Sequence, residues 1–113
     1  MKKNRKWAFR GEPDAPAYGA SKSGLNSASQ SLAKCLAPFG ISVYAVAPGW
    51  VQTPLASSYL EGELEKQIKA QSPLNRVGKA SELGHLVAFL AGDETEYLTG
   101  AIIDANGASY LRN

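Results

Sequence analysis

The first residues with chemical promise are a tyrosine and a lysine four apart, in Tyr18-Gly19-Ala20-Ser21-Lys22. On a helix that spacing puts both side chains on one face, one turn apart, so the ammonium can reach the region of the phenol oxygen. A phenol titrates near ~10, too high for easy proton transfer at neutral pH, and a neighbouring positive charge favours the phenolate and lowers that value. The pair thus has the makings of an acid/base device, although a surface tyrosine and lysine can share this spacing by chance. Lys22 lies on the same helical stripe as Leu25, Leu32 and Leu36, where a lysine has no packing reason to be. Gly19, Ala20 and Ser21 are small enough to let a ligand approach.

A second candidate is Pro48-Gly49-Trp50-Val51-Gln52-Thr53. It follows an apolar, β-branched run, and in open parallel sheets ligands bind beyond the carboxyl ends of the strands. Gly49 would let the backbone approach a ligand, Val51 could pack on a flat ring, and Thr53 offers a hydroxyl and a helix-start amide. The same residues also read as an ordinary strand-to-helix turn capped by Thr53, with Trp50 as packing. Other candidates carry less. His85 is the only histidine and Cys35 the only cysteine, so no metal cluster is expected. Ser21 and Ser23 have no histidine partner for nucleophilic catalysis. Glu61, Glu63 and Glu65 with Lys66 and Lys69 read as a solvated helix face.

The elements that must position these residues follow from periodicity and punctuation. Tyr18, Lys22, Leu25, Ser29, Leu32 and Leu36 recur at steps of four and three, one stripe of a helix at roughly 100° per residue. Pro38 and Gly40 stop it. Ile41 to Ala47 is nearly all apolar and reads as a strand buried on both faces, which favours a parallel sheet. Thr53-Pro54, or the S-x-x-E capping box Ser58 to Glu61, would start the next helix, with a charge-rich segment from Tyr59 to Gln71. Ser81 would cap a third helix carrying Leu83, Leu86, Val87 and Leu90 on one face, with His85 turned away to solvent. Ala101 to Ala105 would form a second strand closed by the turn pair Asn106-Gly107. Strands joined through helices imply a parallel α/β sheet. Two short strands are too little sheet for these helices, so the missing strands are expected from an upstream segment, another chain or a rearranged fold.

The chain has 113 residues, 44% hydrophobic and 19% charged, a globular balance for one domain or a piece of one. The first ten residues hold five of the twelve basic residues and no acid, so the remainder is mildly acidic. Residues 1–16 read as a basic, proline-containing leader and 17–113 as the folded part. A nucleic-acid-binding face spreads its positive charge over folded surface, so none is expected. No apolar run approaches the roughly 20 residues of a membrane helix, and the basic start is not followed by a signal core. A cytoplasmic protein is expected, with Cys35 as a small buried hydrophobe in a reducing compartment.

Four ordered blocks now carry a resemblance: Y-G-A-S-K, G-I-S-V-Y-A-V-A-P-G-W-V-Q-T-P, P-L-N-R-V-G-K-A-S-E-L and F-L-A-G-D-E-T-E-Y-L-T-G-A-I-I-D-A-N-G. Spanning Tyr18 to Gly107, they resemble the carboxyl-terminal part of the short-chain dehydrogenase/reductase family. The resemblance implies an α/β fold, the C-terminal part of a doubly wound Rossmann-like parallel sheet that lacks its N-terminal nucleotide-binding half. It implies an NAD or NADP cofactor and a small alcohol or ketone substrate interconverted by hydride transfer. By resemblance Tyr18 would donate or accept the proton, and Lys22 would bind the nicotinamide ribose and lower the tyrosine pKa. Pro48, Gly49, Val51 and Thr53 would line the nicotinamide, and residues from about Leu55 to Pro73 would form a mobile lid. Association into a homo-oligomer would use the tyrosine-bearing helix and the last strand.

The sequence also departs from that pattern. None of its eleven glycines forms the Gly-rich phosphate turn that opens a Rossmann unit. The family's catalytic serine, about thirteen residues before the tyrosine, falls near Arg5, where Asn4, Arg5 and Lys6 offer no serine. Tyr44 stands where the family often has asparagine, and Gly107-Ala108 replaces a final Gly-Gly. The expectation is a C-terminal fragment of an oxidoreductase, from a truncated or mis-started gene product, inactive by itself. The alternative is a non-catalytic remnant or assembly fragment.

Overall fold

The computed structural model describes residues 14–112, so the expected leader and the Arg5 position lie outside the described residues, apart from positions 14–16. Helix α1 (Pro16–Leu36) starts on proline, whose fixed φ and missing N–H suit the first helical position. Ser21, Ser29 and Ser31 return their hydroxyls to carbonyls three or four residues back, so these polar side chains are satisfied within the helix. A turn at Ala37–Phe39 ends on Gly40 at φ +72, a left-handed conformation that favours glycine.

The face of α1 that turns inward runs through Tyr18, Lys22, Asn26, Ser29, Ala33 and Leu36, with Ala33 fully packed. The stripe expected from the sequence matches it at Tyr18, Lys22, Ser29 and Leu36. Leu25 and Leu32 sit on its flank instead, 57% and 50% exposed. Cys35, expected to be buried, is exposed. It lies two residues, about 200°, round the helix from Ala33 and so faces the other way.

Strand β1 (Ala45–Pro48) pairs in parallel with β4 (Ile102–Ala105), Ala45 opposite Ile102 and Pro48 opposite Ala105. The ladder is extended at both ends by Ala45 N–H to Ala101 O and Gly49 N–H to Ala105 O, each 3.0 Å. The strand is shorter than Ile41 to Ala47 because the chain before it is held differently: Val43 N–H donates to the Thr99 hydroxyl at 3.0 Å, and Gly100 N–H to Val43 O at 2.8 Å. Both strands are half-buried at most positions rather than buried on both faces, and among the described residues no large side chain is completely enclosed.

A second parallel pair, absent from the sequence reading, joins β2 (Val51–Gln52) to β3 (Gly78–Lys79). Between them lie a turn at Ser57–Tyr59 and helix α2 (Gly62–Ala70). α2 begins after Glu61, so neither Thr53-Pro54 nor the Ser58 box starts it. Thr53 closes a turn instead, its carbonyl accepting from Ala56 and Ser57 N–H at 3.0 and 3.1 Å. The segment packs on itself: Ala56, Leu60 and Ile68 are buried together against Trp50, Tyr59, Leu64 and Val77. Helix α3 (Ala80–Ala91) follows β3 directly and is capped from Lys79, not Ser81: Glu82 accepts Lys79 N–H at 2.8 Å. His85 is exposed, as expected.

Candidate active site

The Tyr18–Lys22 pair occupies the first two turns of α1 on its inward face, both side chains half-buried. Lys22 Nζ stands 5.4 Å from the centre of the Tyr18 ring, within reach of its π-face. Ser21 Oγ is committed to Tyr18 O at 2.8 Å, so it supports the backbone and not the phenol. Among the described residues Lys22 makes no ion pair, which leaves its three N–H donors for a ligand or water.

The loop leaving β1 is built by close backbone approach. A Cβ at Gly49 would lie 2.9 Å from Asn106 Cβ and 3.0 Å from Asn106 Cα, so only glycine fits between β1 and the turn after β4. Trp50 turns its carbonyl to Gly78 N–H at 2.9 Å and its ring to Tyr59, centroids 5.8 Å apart and tilted 50°. Its indole therefore belongs to the packing of the 55–73 segment. Val51 is half-buried on β2. The Thr53 hydroxyl accepts Ala56 N–H at 3.2 Å, which leaves its own proton free to donate outward. By type these residues fit a flat amide-bearing ring: Pro48 and Val51 give apolar surface, Gly49 close backbone, and Thr53 a donor.

Three features escaped the sequence reading. Arg76 grips Glu82 with two hydrogen bonds of 2.9 and 2.7 Å. That grip, with the Lys79 N–H, holds the Glu82 carboxyl down at about 2 and raises the Arg76 guanidinium. The only signal was an acid at the third position of a helix. Thr95 is 3% exposed and is bracketed by bonds: its hydroxyl donates to Leu90 O at 3.1 Å, and Tyr44 Oη donates to Thr95 O at 2.7 Å. Tyr44 thus ties the approach to β1 to the end of α3. Ser72 is 6% exposed, and its hydroxyl donates to Gly107 O. A cleft of about 510 Å³ beside it is lined by Trp50, Ser72, Arg76, Glu82, Asn106 and Arg112, and by none of the expected site residues.

A parallel α/β unit, with Tyr-x-x-x-Lys opening its first helix and a Pro-Gly loop closing its first strand, defines part of a Rossmann-type oxidoreductase fold. The family model described as enoyl-(acyl carrier protein) reductase matches residues 7–107. The chain belongs to the short-chain dehydrogenase/reductase family. It is 40% identical over 101 residues to the 3-oxoacyl-(acyl-carrier-protein) reductase FabG of Staphylococcus aureus, an alignment covering 89% of this chain and 41% of that protein. It superimposes on a short-chain dehydrogenase/reductase of Brucella melitensis with a TM-score of 0.83 at 35% identity, over 93% of this chain and 42% of that one. With a crystal structure from Agrobacterium tumefaciens that holds bound NADP, the TM-score is 0.84 at 29% identity, over 91% of this chain and 42% of that one. The chain thus spans about two fifths of the length of the curated relatives it matches. The parallel pair β1 and β4 is part of a Rossmann sheet, in agreement with the sequence reading.

Proposed function

We propose that these residues form the tyrosine–lysine and nicotinamide-side portion of an NAD(P)-dependent oxidoreductase that interconverts an alcohol and a ketone. The observation that carries the reading is the Tyr18–Lys22 pair on the inward face of α1, with the ammonium 5.4 Å from the ring centre. The topology supports it. α1 ends near the amino ends of β1 and β4, where a Cβ on Gly100 would sit 3.6 Å from Ala33 Cβ, and the chain reverses at Gly40. A 21-residue helix is about 30 Å long, and on this reading it runs back along the strands, which brings its first turn to the loop leaving β1.

In the reductive direction the Tyr18 phenol gives its proton to the carbonyl oxygen as that oxygen gains negative charge, and Lys22 stabilises the phenolate left behind. In oxidation the phenolate takes the alcohol proton. A bound nicotinamide supplies or accepts the hydride. Pro48, Gly49, Val51 and Thr53 hold its ring side, and the 55–73 segment covers the substrate. The 113 residues alone turn over no substrate on this reading, because the sequence contains neither the glycine-rich phosphate turn nor the family's serine.

The test joins the S. aureus relative's preceding portion, with its serine, to this chain at Trp7, and follows NADPH oxidation with a 3-oxoacyl thioester. The fusion is expected to be active and Tyr18→Phe to lower kcat by 10²–10⁴, the usual worth of a positioned general acid. The 113-residue chain should show no turnover. An active isolated chain, or a fusion indifferent to Tyr18→Phe, overturns the proposal. A second reading, assembly with copies of itself through the flank of α1, is favoured by the exposure of Leu25 and Leu32. Sedimentation of the chain as a monomer at high concentration would rule it out.

A further inference from the structure

The end of the 55–73 segment, the turn after β4 and the loop leaving β1 meet through neighbouring residues. The buried Ser72 hydroxyl donates to Gly107 O and accepts Leu74 N–H at 3.1 Å, so it ties the exit of that segment to the turn. The fit is close: Gly107 has φ +58, and a Cβ there would lie 2.8 Å from Ser72 Oγ. One residue back, Asn106 packs against Gly49 so tightly that a Cβ on the glycine would lie 2.9 Å from Asn106 Cβ. Gly49 N–H is bonded to Ala105 O at 3.0 Å. The turn itself is braced by Asn106 Nδ2 to Tyr110 O at 2.9 Å and Ser109 N–H to Asn106 O at 3.1 Å. Gly107 and Asn106 share a peptide unit and touch opposite partners. A displacement of one therefore moves the other.

We propose that Ser72 and Asn106 are positioning residues that couple the seating of the 55–73 segment to the shape of the Gly49–Thr53 loop, through the turn at Asn106-Gly107. When the segment lifts, the Ser72–Gly107 bond breaks, the turn relaxes, and the backing of Gly49 loosens. The loop then takes its ring-binding shape only while the segment is seated. This consequence for cofactor and substrate rests on the function proposed above; the coupling itself does not.

The test is hydrogen–deuterium exchange of the full 113-residue chain, read on peptides covering 49–53, 62–71 and 102–105. Removing a hydrogen bond of ordinary worth shifts an opening equilibrium about fivefold. Ser72→Ala is expected to speed exchange by about that factor in 49–53 and 62–71 together, with 102–105 unchanged. Ser72→Thr, which keeps the hydroxyl, should restore both. Ser72→Cys, a weaker donor of similar volume, should be intermediate, and it stands in if Ser72→Ala does not fold. Acceleration confined to 62–71, equal acceleration of 102–105, or no change overturns the coupling. Because these windows are read without cofactor, a failed coupling is distinguishable from a failed catalytic assignment, which the Tyr18→Phe fusion assay reports.

Discussion

Gly49→Ala tests whether the loop leaving β1 is set by contact with the turn after β4. The added methyl would sit 2.9 Å from Asn106 Cβ and 3.0 Å from its Cα, against an optimum of about 3.5–4.0 Å for carbon pairs, so a gap of ~0.5 Å or more must open. One of the atoms in the way is backbone, and Gly49 is held to the neighbouring Ala105 by a 3.0 Å hydrogen bond, so relief means stretching the β1–β4 ladder. Overpacking of this kind costs about 1–3 kcal/mol, and the stiffer unfolded chain returns about 0.4–1 kcal/mol. The net loss should be about 1.3 kcal/mol, a fall in Tm of roughly 5–8 °C for a domain of this size. Gly84→Ala is the control. It lies inside α3 with nothing within 4 Å of the new Cβ, and should gain about 0.5–1 kcal/mol. Circular-dichroism melts of the three proteins decide the matter. If Gly49→Ala melts at or above the parent, as Gly84→Ala should, the contact does not constrain the loop and the reasoning fails.

Two further outcomes are expected. Glu82 is held at about 2, below its ordinary 4.5, so the stability from its bonds to Arg76 and Lys79 N–H is fully present above about pH 4.5 and drains as pH falls toward 2. The Tm difference between the parent and Glu82→Gln should be constant above pH 5 and shrink steadily between pH 4.5 and 2; a difference flat across that range would refute the pairing. Thr95→Val and Tyr44→Phe should each cost about 1–2 kcal/mol in urea denaturation, and the double variant should cost less than the two together, because the same cluster is broken twice.

The parts of this fold most legible in the sequence have strong local causes. The 3.6-residue period and Gly40 give α1 its length, and Asn106-Gly107 marks the end of β4. Tyr18 and Lys22 fall on the inward face as their spacing implies. Leu25 and Leu32 misled because apolar character marks a face only when something covers it, and here they flank the packed side. Ile41 to Tyr44 looked like strand because side-chain pattern says nothing about which acceptor the backbone meets, and Val43 meets the Thr99 hydroxyl. The β2–β3 pair has two residues a side, too short for any period. Ser72 and Thr95 carried no signal, since a buried hydroxyl is defined by partners 35 and 51 residues away in Gly107 and Tyr44.

The β2–β3 pair gives the chain a modular character. Gln52 and Lys79 stand side by side, so everything from Thr53 to Val77 leaves and returns through neighbouring positions, like a drawer in a frame. The contents carry their own small core in Ala56, Leu60 and Ile68. Once the frame fixes the ends, doubling the length between them adds only about 0.6 kcal/mol of closure entropy. Segments of other lengths and sequences can therefore be exchanged at Gln52 and Gly78 without shifting the register of β1 on β4. The Ser72 latch, the Arg76–Glu82 pair and the packing on Trp50 are the contacts to rebuild, a short set that makes this stretch the natural unit for recombination between relatives, in evolution or in the laboratory.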